Sequence, residues 1–512
     1  MVVETSKIDV VVVGSGPTGL MLATELALAG VEVVVLERLA EPSGQSKALN
    51  LQPRTAEVFD LRGLMEPTRE YAHGTWGSGH FGGRPLSYEG WQTRHPYQVN
   101  IPQAGVERVL EDRLAELGAR VRRGHELLDF TQNDAGVTAA VRTTAGESRI
   151  EARYLVGCDG GRSAVRKRLG VAFPGTDASQ FAFVADVAFD ALPAAVPTRL
   201  RSVSDAIAKE GNGKGGAGGL IPLGEPGLFR LIFNDPRAGQ RDQAEPVSTA
   251  EVAAAVERLF GAGAVIAEIR WASRFTNVTR QVEHYRVGRV LLAGDAAHVH
   301  FPAGGQGLNL GVQDAMNLGW KLAAEVQGRA PAGLLDTYHS ERHPVGARVL
   351  HNTRAQSMPV DPAPETVAMS QLITELAKLP EANRHLAGMV SGFDIRYEVD
   401  GPDHPLLGGR LPDLELPLGW ASDLFHPGRG VLLSTDPRYL ELARPWSDRV
   451  DATTLPELPD LTADAVLVRP DGYVCWVAPA DGSPSDTTDN TKRLDGALRT
   501  WFGRPQDTAQ VD

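Results

Sequence analysis

The chain has 512 residues, 42% of them hydrophobic and 22% charged, the composition of a globular protein of two or three domains rather than of a disordered or fibrous one. Its net charge of −13 argues against nucleic acid or an anionic membrane as partner. Glu4 and Asp9 but no basic stretch precede Val10, no run approaches 18 apolar residues, and the only cysteines, Cys158 and Cys475, form no disulfide or metal framework, so the expected setting is a reducing cytoplasm.

Val10–Val13 is a fully apolar run, as in a buried parallel strand. Gly14, Gly16 and Gly19 follow as G-x-G-x-x-G, with Pro17 and Thr18 between the last two. Such glycines permit a tight turn, a close backbone approach to a pyrophosphate, and packing of helix on strand. Leu20, Ala23, Ala27 and Leu28 mark a helix ending at Gly30, whose free N–H groups would hold a diphosphate. Val31–Leu36 is the next strand, and Glu37 closes it 23 residues after Gly14. A carboxylate there accepts from a ribose 2′-OH and repels a 2′-phosphate, so the ligand is FAD or NAD rather than NADP.

Cys158-Asp159-Gly160-Gly161-Arg162-Ser163 is a second glycine-bearing segment, in which Cys158 reads as a small buried hydrophobe. From Phe173 to about Arg274 the texture changes, with β-like runs at Phe181–Phe189 and Leu228–Phe233. Gly211, Gly213 and Gly216 repeat the glycine spacing, but no strand precedes them and Leu220-Ile221-Pro222 follows, so they read as a loop. Gly288–Ala293 is a short strand with Gly294 and Asp295 at its carboxyl end, where ligands sit on open α/β sheets. Pro302-Ala303-Gly304-Gly305-Gln306-Gly307 is a loop poor in side chains that backbone can press against a flat ring. A helix over Leu308–Val326 follows. His298 and His300 lack a third metal ligand nearby and read as packing residues, and Asp336-Thr337-Tyr338-His339-Ser340-Glu341-Arg342 reads as a helix-stabilising charge cluster. Past residue 400, Gly430–Ser434, Ala465–Val468 and Tyr473–Val477 read as strands, the last two joined by the turn Arg469-Pro470-Asp471-Gly472. The polar stretch Asp481–Lys492 precedes a final helix around Leu494–Phe502.

Taken together, the glycine turn, the Cys158–Ser163 segment and Leu291-Leu292-Ala293-Gly294-Asp295-Ala296-Ala297-His298 resemble the FAD-dependent aromatic hydroxylases related to para-hydroxybenzoate hydroxylase. The phrases Val33–Arg38, Tyr154–Ser163 and Pro302–Asn309 are most similar to bacterial hydroxylases that tailor angucycline, anthracycline and tetracycline polyketides. The resemblance covers nearly the whole chain. It implies an α/β protein with a Rossmann-like FAD-binding domain, a β-sheet substrate domain and a C-terminal thioredoxin-like domain that lacks C-x-x-C and serves packing or dimer contact, as monomer or homodimer. The boundaries are 1–175 and 275–395 for FAD, with 75–102 joining the substrate sheet, 176–274 for substrate, and 400–512 for the last domain.

The resemblance also implies roles. Asp295 would bind the ribityl chain, and the amides near Leu308 and Asn309 the N1–C2=O edge. Asp159, Arg162, Gln103, Arg38, Gln45 and Lys47 would lie by the cofactor, with Pro302, Gly304, Gly305, Gln306 and Gly307 along the ring. Lys47, in Gln45-Ser46-Lys47-Ala48-Leu49, stands where relatives show Arg and lacks its planar fork. No residue is assigned to chemistry itself. NADPH would dock transiently and reduce FAD, O₂ would add at C4a as co-substrate, and a phenolate of the aromatic polyketide would attack the resulting hydroperoxide. Baeyer–Villiger insertion is the nearest rival, and flavin and polyketide binding without turnover the alternative of another class.

Overall fold

The computed structural model describes residues 2–3, 8–196, 217–234, 245–356, 364–417, 419–458, 460–480 and 484–506. Strand β1 (Ile8–Val13), helix α1 (Pro17–Leu28) and strand β2 (Val33–Glu37) form a parallel βαβ unit. Its strands are valine-rich because both faces are covered: Val10, Val12, Val34 and Val35 are buried, as are Leu20, Leu22 and Leu26 of α1. Helix α2 (Gln103–Glu116) leads to β3 (Val121–Arg123), which extends the sheet beyond β2. On the other side lies β4 (Gly146–Gly157), a strand with two jobs. Its first half pairs antiparallel with Val137–Thr143, and its last residues pair parallel with β1.

The chain then builds a separate antiparallel sheet from β5 (Phe181–Ala191), β6 (Ala217–Pro222), β7 (Leu228–Asn234) and β8 (Val265–Thr276), in the order β6-β7-β5-β8. Phe183, Ala185, Val187 and Phe189 alternate onto one face and bury against Val252, Val256 and Leu259 of α3 (Thr249–Phe260). A capping box at Ser248 and Glu251 starts that helix. Of the expected glycine-rich loop, Gly211, Gly213 and Gly216 lie outside the described residues.

Returning to the first sheet, β9 (Val290–Leu292) pairs parallel with the end of β4. Helix α4 (Gln306–Val326) packs across α1, and α5 (Thr337–Gln356) follows. The result is an order β1-β4-β9 of adjacent parallel strands, and each of the three glycine-bearing segments leaves a carboxyl end of this trio.

Segment 75–102 does not join the substrate sheet. Gln98–Asn100 pairs with Asn50–Leu51 on one side and Gly74–Trp76 on the other in a small sheet of their own, and Ser78–Phe81 with Arg84–Ser87 makes a hairpin packed on the helix Pro380–Ser391.

The last domain is β10 (Gly430–Ser434), α6 (Pro437–Ala443), β11 (Val450–Thr454), β12 (Ala463–Val468), β13 (Val474–Pro479) and α7 (Pro484–Phe502). Its order β11-β10-β12-β13, with the first pair parallel and the others antiparallel, is that of a thioredoxin-like core. Helix α7 begins ten residues before the expected Leu494, because a polar first turn reads like a loop; Pro484 suits a helix start. Cys475 is buried, which pushes its thiol above the usual range, so it offers no reactive thiolate.

The turn between β12 and β13 is locked into the FAD-binding part. Arg469 is fully buried, with Nη1 2.6 Å from Glu341 and Nη2 2.6 Å from Asp471. Lys321 Nζ also reaches Glu341 at 2.7 Å. Burial opposes ionisation of Glu341, but Arg469 and Lys321 hold its pKa down to about 2. Arg54 and Arg62 donate to the carbonyls of Asp471 and Pro470, both at 2.9 Å. The charge cluster at 336–342 is therefore partly internal. Asp336 pairs with Arg286 near the surface, while Glu341 and Arg342 point inward. Among the described residues no helix is long and apolar enough to cross a membrane.

Candidate active site

The glycine turn shows which glycine does what. A Cβ on Gly14, whose φ is +103°, would lie 2.5 Å from the carbonyl oxygen of Cys158, so the first and second segments touch backbone to backbone. One on Gly19 would lie 2.0 Å from the carbonyl oxygen of Gly14. One on Gly16 would meet no atom within 4 Å. Gly14 and Gly19 are thus demanded by packing, and packing does not demand Gly16. No side chain caps the N-terminus of α1, where Gly16 and Pro17 stand, which leaves its first amides to an anion.

Glu37, at the end of β2, is held in place beside this turn. Its Oε2 accepts from the Ser15 N–H at 3.2 Å and from Ser15 Oγ at 3.1 Å, and its Oε1 accepts from the Leu39 N–H at 2.9 Å. Arg38, Gln45 and Lys47 are exposed on the segment that follows. The Lys47 carbonyl accepts from Arg230 at 3.3 Å. Gln103 is committed within the protein: its Oε1 accepts from the Ala48 N–H at 3.2 Å and its Nε2 donates to Glu107 at 2.8 Å.

Asp159 caps the turn after β4. Its Oδ2 accepts from the Ala164 and Val165 N–H groups at 2.6 and 3.1 Å, while its buried Oδ1 has no partner among the described residues. Arg162 is exposed beside it. Arg166, which sequence reading missed, ties the second segment to the third by donating to the carbonyls of Gly161 and Ala296.

After β9, Gly294 adopts φ +59° against Thr18, whose Oγ1 would be 2.6 Å from a Cβ there and 2.2 Å from one on Gly311. Thr18 is thus a packing contact between the first and third segments. Asp295 is exposed at the strand end. Behind the loop, Asp314 is fully buried and accepts from His298 Nε2 and Arg342 Nε, each at 2.7 Å, and from the Gly294 N–H at 3.3 Å. Burial works against its ionisation, yet Arg342 and His298 hold its carboxyl below the usual range. His298 is thus a hydrogen-bond partner of Asp314 rather than simple packing.

Pro302 begins a turn in which Gly304 and Gly305 have φ of +69° and +64°. A Cβ on Gly305 would sit 2.3 Å from Asn50 Oδ1. Gln306 is buried and donates to the Ala303 carbonyl at 3.3 Å, and Leu308 packs at the edge of the core. Asn309 accepts from the Gln52 N–H at 2.7 Å and donates to the carbonyls of Asn50 and Gly305, so only its backbone is left for a ligand. Gln52 Nε2 reaches the Gly304 carbonyl at 2.6 Å and its Oε1 accepts from Tyr88 and Gln98, a support that sequence reading also missed. No side chain caps α4 at Gly305 either.

The second face of the β5–β8 sheet carries Val184, Asp186, Arg230, Ile232 and Trp271. Arg230 is only 1% exposed and grips Asp186 with two bonds of 2.7 and 2.8 Å, its guanidinium 5.3 Å from the Trp271 ring centre. Phe275 of β8 meets Phe301 at a ring separation of 5.9 Å, joining this sheet to the third loop. The donor set suits FAD: an open Gly16, two uncapped helix N-termini, a ribose-height carboxylate and an exposed Asp295 lie along one crevice.

Comparison with known proteins agrees. Residues 7–353 match the family model described as FAD binding domain, and residues 404–505 match that described as aromatic-ring hydroxylase, C-terminal. A 12-dehydrotetracycline 5-monooxygenase/anhydrotetracycline 6-monooxygenase from Streptomyces rimosus subsp. rimosus is 46% identical, with 98% of this chain and 99% of the relative covered. The crystal structure of CabE, an aromatic hydroxylase from angucycline biosynthesis, matches with TM-score 0.85 and 46% identity over 98% of this chain and all of the other. The Diels-Alderase PyrE3 of pyrroindomycin biosynthesis matches with TM-score 0.79 and 38% identity over 97% and 99%. With its crevice built from three glycine-bearing loops and its matched C-terminal domain, the chain belongs to the FAD-dependent aromatic-ring hydroxylases, a family of flavoprotein monooxygenases.

Proposed function

We propose that the protein uses NADPH and O₂ to hydroxylate a phenolic ring of a polycyclic aromatic polyketide. The observation that carries this reading is that the ends of β1, β4 and β9 lie beside the face of the β5–β8 sheet that bears Val184, Ile232, Trp271 and the Asp186–Arg230 pair, with Arg230 reaching the Lys47 carbonyl and Phe275 against Phe301. The relatives with tetracycline and angucycline in their names support the substrate class. FAD, when bound, supplies the activation of O₂ that side chains cannot.

The chain's own residues bind and orient. The α1 amides would hold the diphosphate, Glu37 the adenosine ribose, and Asp295 the ribityl hydroxyls. The N-terminus of α4 would favour negative charge at the N1–C2=O edge, the place where it collects on reduction. Arg162, exposed beside the second segment, is a candidate contact for NADPH. Val184, Ile232 and Trp271 would bury the substrate rings at about 25 cal/mol per Å² and exclude water. The reaction balances as aromatic C–H, O₂, NADPH and a proton giving the phenol, NADP⁺ and water.

The Diels-Alderase relative makes redox-silent use of this scaffold the second reading. Consumption of NADPH by FAD-loaded protein, with and without tricyclic and tetracyclic phenols, separates the two. Hydroxylation requires consumption stimulated by a phenol; a rate indifferent to every phenol offered refutes it.

A further inference from the structure

Two hydrogen-bond acceptors face one point at the start of α4. A Cβ placed on Gly307 would lie 3.7 Å from His300 Nε2 and 4.0 Å from Asp295 Oδ1. His300 Nδ1 stands 2.8 Å from the carbonyl oxygen of Phe301. A carbonyl can only accept, so Nδ1 carries the proton of the neutral ring and Nε2 is a bare lone pair. Nε2 is buried and has no hydrogen-bond partner among the described residues. Burial and the nearby His298 favour the neutral ring, against the opposing pull of the Phe301 carbonyl and Asp295. A lone pair and a carboxylate cannot satisfy each other, so the point between them calls for a donor, and a buried acceptor left without one costs about 1–3 kcal/mol.

We propose that His300 contacts FAD directly, its Nε2 accepting a hydrogen bond from a hydroxyl of the ribityl chain on the side opposite Asp295. The inference rests on the reading that FAD fills this crevice and gives His300 a specific part in it. A polyol suits the point because each hydroxyl donates once while its oxygen remains free to accept from the first amides of α4. Neither histidine is then a packing residue: His298 holds the loop through Asp314, and His300 holds the ligand.

The test measures FAD dissociation constants of the apoprotein by fluorescence titration for wild type, His300→Ala and His300→Gln. Each is titrated with FAD and with analogues lacking one ribityl hydroxyl at a time. The Gln side chain restores an acceptor near the position of Nε2. His300→Ala should weaken FAD about tenfold, the scale of one hydrogen bond. His300→Gln should stay within about threefold of wild type, and with one of the deoxy analogues His300→Ala and wild type should bind alike. His300→Ala binding FAD within about twofold of wild type, or equal losses in both variants with every analogue, overturns the assignment and leaves Nε2 to a structural water. Wild-type protein that takes up no FAD at all refutes instead the cofactor reading on which the inference stands.

Discussion

The same substitution at two glycines three residues apart should have opposite consequences. In Gly19→Ala the new methyl falls 2.0 Å from the carbonyl oxygen of Gly14, backbone that cannot swing aside, so α1 must back away from β1. Overpacking of this kind costs about 1–3 kcal/mol, only partly offset by the roughly 1 kcal/mol that Ala gains over Gly inside a helix. In Gly16→Ala the methyl meets nothing within 4 Å, and the backbone there, φ −73° and ψ 176°, suits any residue. The apoprotein should keep its stability or gain about 0.4–1 kcal/mol through a less flexible unfolded chain. The methyl does, however, occupy the approach to the α1 amides. Loss of one charge-assisted bond to a diphosphate, about 1.5–3 kcal/mol, weakens FAD by roughly 10- to 100-fold. Urea unfolding of the apoproteins, paired with FAD titration, reads both effects. Gly16→Ala that binds FAD as wild type does, or that destabilises the apoprotein as much as Gly19→Ala, refutes this division of labour.

Three further outcomes are expected. Glu37→Arg removes an acceptor of three bonds and should weaken FAD while leaving the preference for NADPH over NADH unchanged in steady-state rates; a reversed preference would place the nicotinamide cofactor in the first fold. Burial pulls His80 from 6.5 down to about 4, so the folded state favours the neutral ring: its contribution to stability is complete above pH 6.5 and declines as pH falls through about 4. Unfolding midpoints across that range should fall less steeply in His80→Gln, and identical slopes would remove His80 from the explanation. Arg469→Leu takes from Asp471 its ion-pair partner and leaves Glu341 with Lys321 alone, and should cost about 3–5 kcal/mol in urea unfolding; a change under about 1 kcal/mol would mean that the turn is held by its apolar neighbours.

The parts of this protein legible in sequence are those whose physics is local. Gly14, Gly16, Gly19 and Glu37 act within one βαβ unit, so spacing alone carries them. What escaped is what strand register and folding bring together. Asp186 and Arg230 are 44 residues apart and pair only because β5 and β7 align them. Asp314, His298 and Arg342 come from three elements, and nothing near Asp314 in sequence announces that it is buried. Residues 336–342 read as a helix-stabilising charge cluster, and what the sequence does not announce is that Glu341 and Arg342 are buried against Lys321 and Asp314 of α4 and Arg469 of the β12–β13 turn. Segment 75–102 was misleading: its glycines and aromatics suit any short strand, and Gln98–Asn100 found partners at Asn50–Leu51 and Gly74–Trp76 rather than in the substrate sheet.

The central claim, that this crevice delivers an atom of oxygen to an aromatic ring, meets its most direct test in product mass. FAD-loaded protein, NADPH and isotope-labelled O₂ are incubated with tricyclic and tetracyclic phenols, and the products are weighed and fragmented. A product carrying a single labelled oxygen on a ring carbon is the expected result. A labelled oxygen inserted beside a carbonyl would instead place the protein among Baeyer–Villiger enzymes, and a rearranged product of unchanged mass and no label would contradict oxygen transfer altogether.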